Sequence, residues 1–292
     1  MNRDMFLKLS GPFPQRVPLA AVTLARIDCG RYVRETVEYA VEPDERIKAY
    51  LLLPRDRTGP LPAVFCHHQH ASAFDIGKSE VVGLAGDPDQ AYGVELAERG
   101  YAVIAPDAIA FEERNWSSPT GRAEYFELAS RLVTGRTLLA KVLHDASVAL
   151  DYLQSRAEID PARLGFLGHS YGGRMAIWTA AFDARVAASV SNCGCVNYKN
   201  SLHRSAGIQM EFCVPDFLKH GDVEDVVRMV APRPLLIQAA TEDKWSRGAE
   251  TLFADAKSAF PEDRLHLKLW PGGHQFTRDM REAAYTFLDR FL

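Results

Sequence analysis

Arg163-Leu164-Gly165-Phe166-Leu167-Gly168-His169-Ser170-Tyr171-Gly172 is an apolar run followed by a serine bracketed by two glycines. A helix-compatible stretch, Tyr171 to Ala181, comes next. Strand, sharp turn and helix in that order is the setting of a G-x-S-x-G nucleophile elbow. The chemistry requires such a shape. A serine hydroxyl is a weak nucleophile, so it must be exposed beside a base, with backbone donors ready for a developing oxyanion. Gly168 and Gly172 remove the Cβ atoms that would collide across the turn. Ser170 is therefore the candidate nucleophile.

Working outward, short continuous apolar runs alternate with helical stretches. The runs are Ala63 to Cys66, Tyr101 to Ala105, Leu164 to Leu167, Val186 to Val190, Leu235 to Ile237 and Leu265 to Trp270. Runs without polar alternation suit strands covered on both faces, hence a mostly parallel sheet. Helices are predicted over 89–99, 138–156, 171–181, 248–259 and 278–291. In the second, Leu139, Val142, Leu143, Ala146, Leu150 and Leu153 share one face. Before these units, Arg31 to Ala40 alternates and Ile47 to Leu53 follows a Pro43-Asp44-Glu45 turn, which predicts an antiparallel hairpin. The expected fold is α/β, a doubly wound, mostly parallel sheet entered by that hairpin. All 292 residues are assigned to one domain. Within it, residues 1–30 are expected as an arm packed over the body, and connections 110–135 and 194–230 as lid-like insertions at the carboxyl ends of strands.

Those strand ends supply partners for Ser170. The run after Leu235 ends in Thr241-Glu242-Asp243, and the last run ends in Pro271-Gly272-Gly273-His274. Nucleophile, acid and histidine thus follow in the chain order this architecture uses. Asp243 is the favoured acid because it falls where the loop turns back toward the sheet; Glu242 is the alternative. His274 is the candidate base. Of the other eight histidines, His144 lies mid-helix, His203 and His220 lie in the second connection, and His266 alternates with leucines. The His169 side chain should point away from the direction Ser170 takes.

His67-His68-Gln69-His70 invites a metal reading. It lacks a carboxylate at ligand spacing, and along a strand His67 and His68 face opposite sides. Its place after the first core run is where such a site draws its second oxyanion N–H. The backbone amides of His70 and Tyr171 are therefore the expected donors, with no metal and no cofactor. Asp107 reads as a turn stabiliser, Glu112 and Glu113 as a solvated face. Arg174 reads as a helix anchor, with binding of a substrate carboxylate as the alternative. Trp116, Tyr125, Phe126, Phe212, Phe217 and Trp245 are candidates for an apolar pocket, Trp116 and Trp245 foremost.

Composition narrows the partners. A net charge of -4 without a basic run excludes a nucleic-acid binder by electrostatics, and 47% hydrophobic against 25% charged is globular rather than disordered. No apolar run reaches the roughly 18–20 residues that span a bilayer. The start, Met1-Asn2-Arg3-Asp4-Met5-Phe6, lacks the apolar core of a secretory signal. Five cysteines form no disulfide framework, so a reducing cytoplasm is expected. The expected partner is a small-molecule ester, with neither nucleic acid nor membrane, and a homo-oligomer is compatible with the sequence.

From about Glu35 onward the chain resembles the α/β-hydrolase superfamily, and within it the dienelactone hydrolase-like and acetyl xylan esterase-like branch. The likeness rests on Pro62-Ala63-Val64 leading to His68-Gln69, Gly77-Lys78-Ser79-Glu80, and Arg99-Gly100-Tyr101 leading to Ala105-Pro106-Asp107. It rests further on Gly168 to Gly173, Ala231-Pro232-Arg233-Pro234-Leu235 and Gly273-His274. The resemblance implies triad positions for Ser170, Asp243 and His274, and oxyanion positions for His70 and Tyr171. Two departures stand out: the dienelactone hydrolases proper usually carry a cysteine nucleophile, and the common His-Gly turn is His68-Gln69 here. The expected activity is cleavage of a carboxylic ester through an acyl-enzyme. A peptidase or amidase with the same triad is the alternative, and a non-catalytic binder on this fold is the third reading. Aromatics in the long connections predict medium or aromatic esters over acetate.

Overall fold

The computed structural model describes residues 1–55, 59–203 and 207–292. Helix α1 (Arg3–Ser10) begins at Asn2, whose side chain accepts the Met5 N–H, and ends at Gly11. Strands β1 (Val22–Asp28), β2 (Tyr32–Glu42) and β3 (Glu45–Pro54) form an antiparallel meander. Then come β4 (Leu61–His67), α2 (Lys78–Val81), α3 (Tyr92–Arg99) and β5 (Ala102–Pro106). The first long connection carries α4 (Arg122–Val133) and leads to α5 (Leu138–Ser155), β6 (Ile159–His169), α6 (Tyr171–Phe182) and β7 (Val186–Asn192). The second holds α7 (Tyr198–His203), α8 (Phe217–His220) and α9 (Val223–Val230). The chain closes with β8 (Leu235–Ala240), α10 (Ala249–Lys257), β9 (Leu265–Trp270) and α11 (Arg278–Phe291).

One nine-stranded sheet results, in the order β1-β2-β3-β5-β4-β6-β7-β8-β9. The strands from β4 onward pair parallel with one another, and β5 joins the meander by pairing antiparallel with β3. The expected α/β architecture is therefore the observed one, with one correction. The N-terminal stretch is not only an arm, because β1 extends the hairpin to three strands. Every residue of β1 is exposed, so burial left no pattern there to read.

Hydrophobic clusters cover both faces of the sheet. Leu139, Leu143, Leu150 and Leu153 of α5 pack with Phe65, Ile104 and Phe166 on one face. Met280, Ala284, Tyr285 and Leu288 of α11 pack with Val64, Val103 and Leu167 on the other. Each buried leucine contributes roughly 1.5–3 kcal/mol of transfer free energy. No helix among the described residues is long and apolar enough to cross a membrane.

One buried charge cluster positions the loop between β4 and α3. Lys78 is fully buried, with its Nζ 2.6 Å from Asp107 Oδ2, 2.7 Å from Glu112 Oε1 and 3.3 Å from Glu113 Oε1. Glu112 also accepts the Gly77 N–H at 2.9 Å and the Ser79 N–H at 3.0 Å. Glu112 is thus not on a solvated face: it closes the loop by capping α2. Asp107 does stabilise a turn, as its position suggests, by accepting the Lys78 N–H at 2.8 Å.

Candidate active site

The end of β6 turns so sharply into α6 that Ser170 has φ 58° and ψ -113°. A non-glycine residue held there stores backbone strain that the surroundings must impose. The Ser170 N–H donates to Asn192 O at 2.8 Å, and the Arg174 N–H donates to Ser170 O at 3.0 Å. Glycine at 172 is obligatory, because a Cβ there would lie 2.0 Å from His67 O. The elbow is pressed directly against the end of β4, which brings His70 beside Ser170.

His274 Nε2 lies 2.8 Å from Ser170 Oγ, and His274 Nδ1 lies 3.1 Å from Asp243 Oδ2. Asp243 is buried and accepts the Trp245 N–H at 2.9 Å and the Ser246 hydroxyl at 2.6 Å. Burial pushes its acid up, but His274, Ser246 and Trp245 together hold it below the ordinary carboxylate value. Glu242, the alternative acid, is exposed and outside this relay. A metal ion would find three ligand atoms within 4.8 Å of one another at Cys193, Asp243 and His274. Two of the three are already committed to the relay.

The other histidines are placed by the backbone. His68 donates from Nδ1 to Gln69 O at 2.7 Å and accepts the Ala108 N–H on Nε2 at 3.1 Å. Burial pushes it down to about 4 and His67 to about 3. Their rings do not face opposite sides but lie 5.0 Å apart, because β4 ends at His67 and the chain turns. His169 packs its ring 4.6 Å from that of His274 and is held by Asn192 Nδ2 at 2.7 Å. Burial, then the His274 ring, pushes it down to about 3. A neutral ring thus buttresses His274.

These depressed histidines link stability to pH. Each folded value lies below the ordinary 6.5. Stability from the neutral ring is therefore complete above 6.5 and lost as pH falls toward 3 or 4, because the unfolded chain takes the proton first. At pH 5 this amounts to about 2 kcal/mol per histidine. His67 packs near Phe65 and Phe166, so His67→Phe suits the site. Between pH 8 and pH 5 the variant should lose about 2 kcal/mol less urea stability than wild type. Equal losses would contradict this.

A cleft of about 500 Å³ opens over Ser170 and His274, lined also by Gln69, His70, Arg174 and Trp245. The His70 and Tyr171 backbone N–H groups have no acceptor among the described residues. Tyr171 begins α6, where first-turn donors are free. Trp245 lines the cleft as the sequence suggested. Trp116 does not: it is 59% exposed, turned outward by the Asn115–Ser117 turn and packed edge-on against Phe126. Tyr125 and Phe126 are exposed, while Phe212 and Phe217 belong to the core.

Arg174 reaches from α6 to the cleft. Its guanidinium is buried against the Trp245 and Phe212 rings, 5.2 and 5.8 Å from their centroids, and its Nη2 has no hydrogen-bond partner among the described residues. Glu124 and Gln209 also line the cleft. Sequence reasoning missed both, since nothing in the lid-like connections distinguishes an inward polar residue from a solvated one. The candidate lid 194–230 includes residues 204–206, which lie outside the described residues.

Comparison with known proteins bears on the family and the fold. The model of the dienelactone hydrolase family matches residues 78–287. YtaP of Bacillus subtilis (strain 168), a hydrolase by name, is 30% identical over all of this chain and 99% of its own length. A carbohydrate esterase, MZ0003, from an unknown prokaryotic organism is 30% identical over 50% of this chain and 42% of its own. Among solved structures, a glucuronoyl esterase from Solibacter usitatus superposes with a TM-score of 0.74 at 19% identity, covering 98% of this chain and 91% of that one.

Proposed function

The chain belongs to the dienelactone hydrolase family, and on that premise we propose that it is a serine carboxylester hydrolase working through an acyl-enzyme on Ser170. The observation that carries the reading is the relay from Ser170 Oγ to His274 Nε2 at 2.8 Å and from His274 Nδ1 to Asp243 at 3.1 Å. His274 takes the Ser170 proton as Oγ attacks the ester carbonyl. The His70 and Tyr171 amides hold the oxyanion of the tetrahedral adduct. Collapse breaks the ester C–O bond, and His274 returns its proton to the departing alkoxide. Water, deprotonated by His274, then attacks the acyl-enzyme; the acyl C–O bond to Ser170 breaks, His274 returns the proton to Ser170 Oγ, and the acid leaves. Asp243 orients the imidazole and stabilises its cationic form.

The cleft lining speaks to the substrate. Of the six aromatics considered in the sequence only Trp245 lines it, beside Phe74, Ile208 and Met210, while Gln69, Arg174 and Gln209 contribute polar groups. That narrows the aromatic basis for preferring medium or aromatic esters to Trp245 and Phe74, and the polar groups suit an ester carried on a polar, hydroxylated molecule. A relative named as a carbohydrate esterase supports the same class.

The test is a fluorophosphonate label followed by a matched panel. Ser170 should be labelled, and acetylated sugars should be cleaved faster than the corresponding amides and faster than neutral aryl esters of longer acids. Faster amide cleavage would replace the esterase reading with an amidase. Folded protein unlabelled at Ser170, with ligand binding intact in Ser170→Ala, would make it a non-catalytic binder.

A further inference from the structure

The turn that carries the proposed oxyanion donor is gripped from both long connections. His70 Nδ1 accepts the Ser72 N–H at 3.0 Å, so its Nε2 holds the proton and donates to Glu124 Oε1 at 2.9 Å. Phe74, Phe111 and Tyr171 close edge-on around the ring, with centroids 5.1, 5.1 and 6.3 Å away. Both ring nitrogens and three neighbouring rings thus fix the His70 side chain. Glu124 belongs to α4 of the first connection and is buried.

Beyond Glu124 stands Glu211, fully buried in the Met210–Phe212 turn of the second connection. Neither of its carboxyl oxygens has a hydrogen-bond partner among the described residues, and the Glu124 carboxylate is the charge that acts on it most. Two such carboxylates cannot both ionise in a buried site. Burial first, and then the Glu124 charge, push the Glu211 acid well above its usual range. Arg174 and Tyr171 of α6 and the nearby Cys213 are the other titratable groups around the pair. A protonated Glu211 would have Glu124 as its acceptor, and Glu124 Oε1 is the oxygen that meets His70.

We propose that Glu124 is a positioning residue for oxyanion stabilisation: it clamps His70 from α4 while Glu211 braces it from the opposite connection. Both connections must then be seated before the His70 N–H is aimed at the substrate oxygen. The inference rests on reading that amide as an oxyanion donor. The mechanism uses neither carboxyl group, yet the pair brings together the two long connections beside the cleft. A misplacement of about 1 Å in such a donor costs on the order of 100-fold in rate.

The experiment compares kcat and KM of full-length variants, with active sites counted by phosphonate titration. Glu124→Ala should lower kcat per titrated site by about 10- to 100-fold with KM changed less than about threefold. Affinity for a trifluoromethyl ketone, which mimics the tetrahedral adduct, should fall in parallel. Glu124→Gln keeps an acceptor for His70, and Glu211→Gln keeps a donor for Glu124; both should stay within about fivefold of wild type. Glu211→Leu, which removes the brace without touching the His70 contact, should lose kcat as Glu124→Ala does, and it decides the matter if that variant does not fold. Unchanged kcat per site in Glu124→Ala or Glu211→Leu, with wild type active, overturns this inference alone. Wild type inert to both label and esters overturns the esterase reading and this inference with it.

Discussion

Replacing Ser170 by alanine is expected to lower kcat by about 10⁵- to 10⁶-fold while the protein stays folded. The side chain lost is one hydroxyl, and its side-chain partner among the described residues is His274 Nε2. Alanine keeps the Cβ, so the strained turn at φ 58° is no worse than before. The melting temperature should therefore stay level or rise, since catalytic strain is commonly held at the expense of stability. His274→Ala should fall as far. Asp243→Asn should cost about 10⁴-fold, because the amide would favour the wrong imidazole tautomer. The Ser170→Ala/His274→Ala pair should cost no more than either single change, since the groups act as one unit. Initial rates on an acetylated sugar, with circular dichroism as the folding control, check all four. More than about one per cent residual activity in Ser170→Ala would remove Ser170 from the nucleophile role.

The elements that bury an apolar face could be read from the chain. Strand β9 and helix α11 begin and end where the patterning places them, and the parallel core follows from runs without polar alternation. What escaped was structure held by other forces. Strand β1 buries none of its residues and exists through its ladder with β2, so no hydrophobic period announces it. The turn chemistry around Ser170, Asp243 and His274 is local, and the three positions came together as their strand ends required. Side-chain direction within the long connections is not local. Trp116 turned outward because of a hydrogen-bonded turn, and Glu112 turned inward because a buried lysine awaits it. Arg174 shows the same limit: four residues from the elbow it reads as a helix anchor, and its ring neighbours, Trp245 of the cleft and Phe212 of the core, come from distant segments. Polar residues whose partners are far apart in sequence carry no signature within a window.

Lys78→Met should destabilise the fold by about 3–5 kcal/mol at pH 8 in urea titration, the usual consequence of leaving buried charges without their counter-ion. Lys78 is fully buried among Asp107, Glu112 and Glu113. Burial disfavours its ammonium, yet the carboxylates outweigh burial and hold its pKa above the ordinary lysine value. Methionine fills the same volume and supplies no charge. The sign of the pH dependence follows from Asp107, whose acid burial has pushed up to about 7 even with the ammonium beside it. Because this folded value exceeds the unfolded one, the native state takes a proton that the unfolded chain releases, and stability from that proton declines as pH rises through 7. Without Lys78 the Asp107 value climbs further, so the variant is relieved by protonation at pH 5 and penalised most above pH 8. In wild type that decline ends near pH 7, where Asp107 ionises beside the ammonium, whereas in the variant it continues to higher pH. Adding Asp107→Asn should restore all but about 1–2 kcal/mol, since the amide oxygen can still accept the residue 78 N–H that Asp107 now accepts at 2.8 Å. A Lys78→Met penalty that does not change between pH 5 and pH 9, or a double variant no more stable than the single one, would show that Lys78 contributes packing rather than charge. In that case the loop between β4 and α3 owes its position to the Glu112 contacts with Gly77 and Ser79 and not to the buried ion cluster.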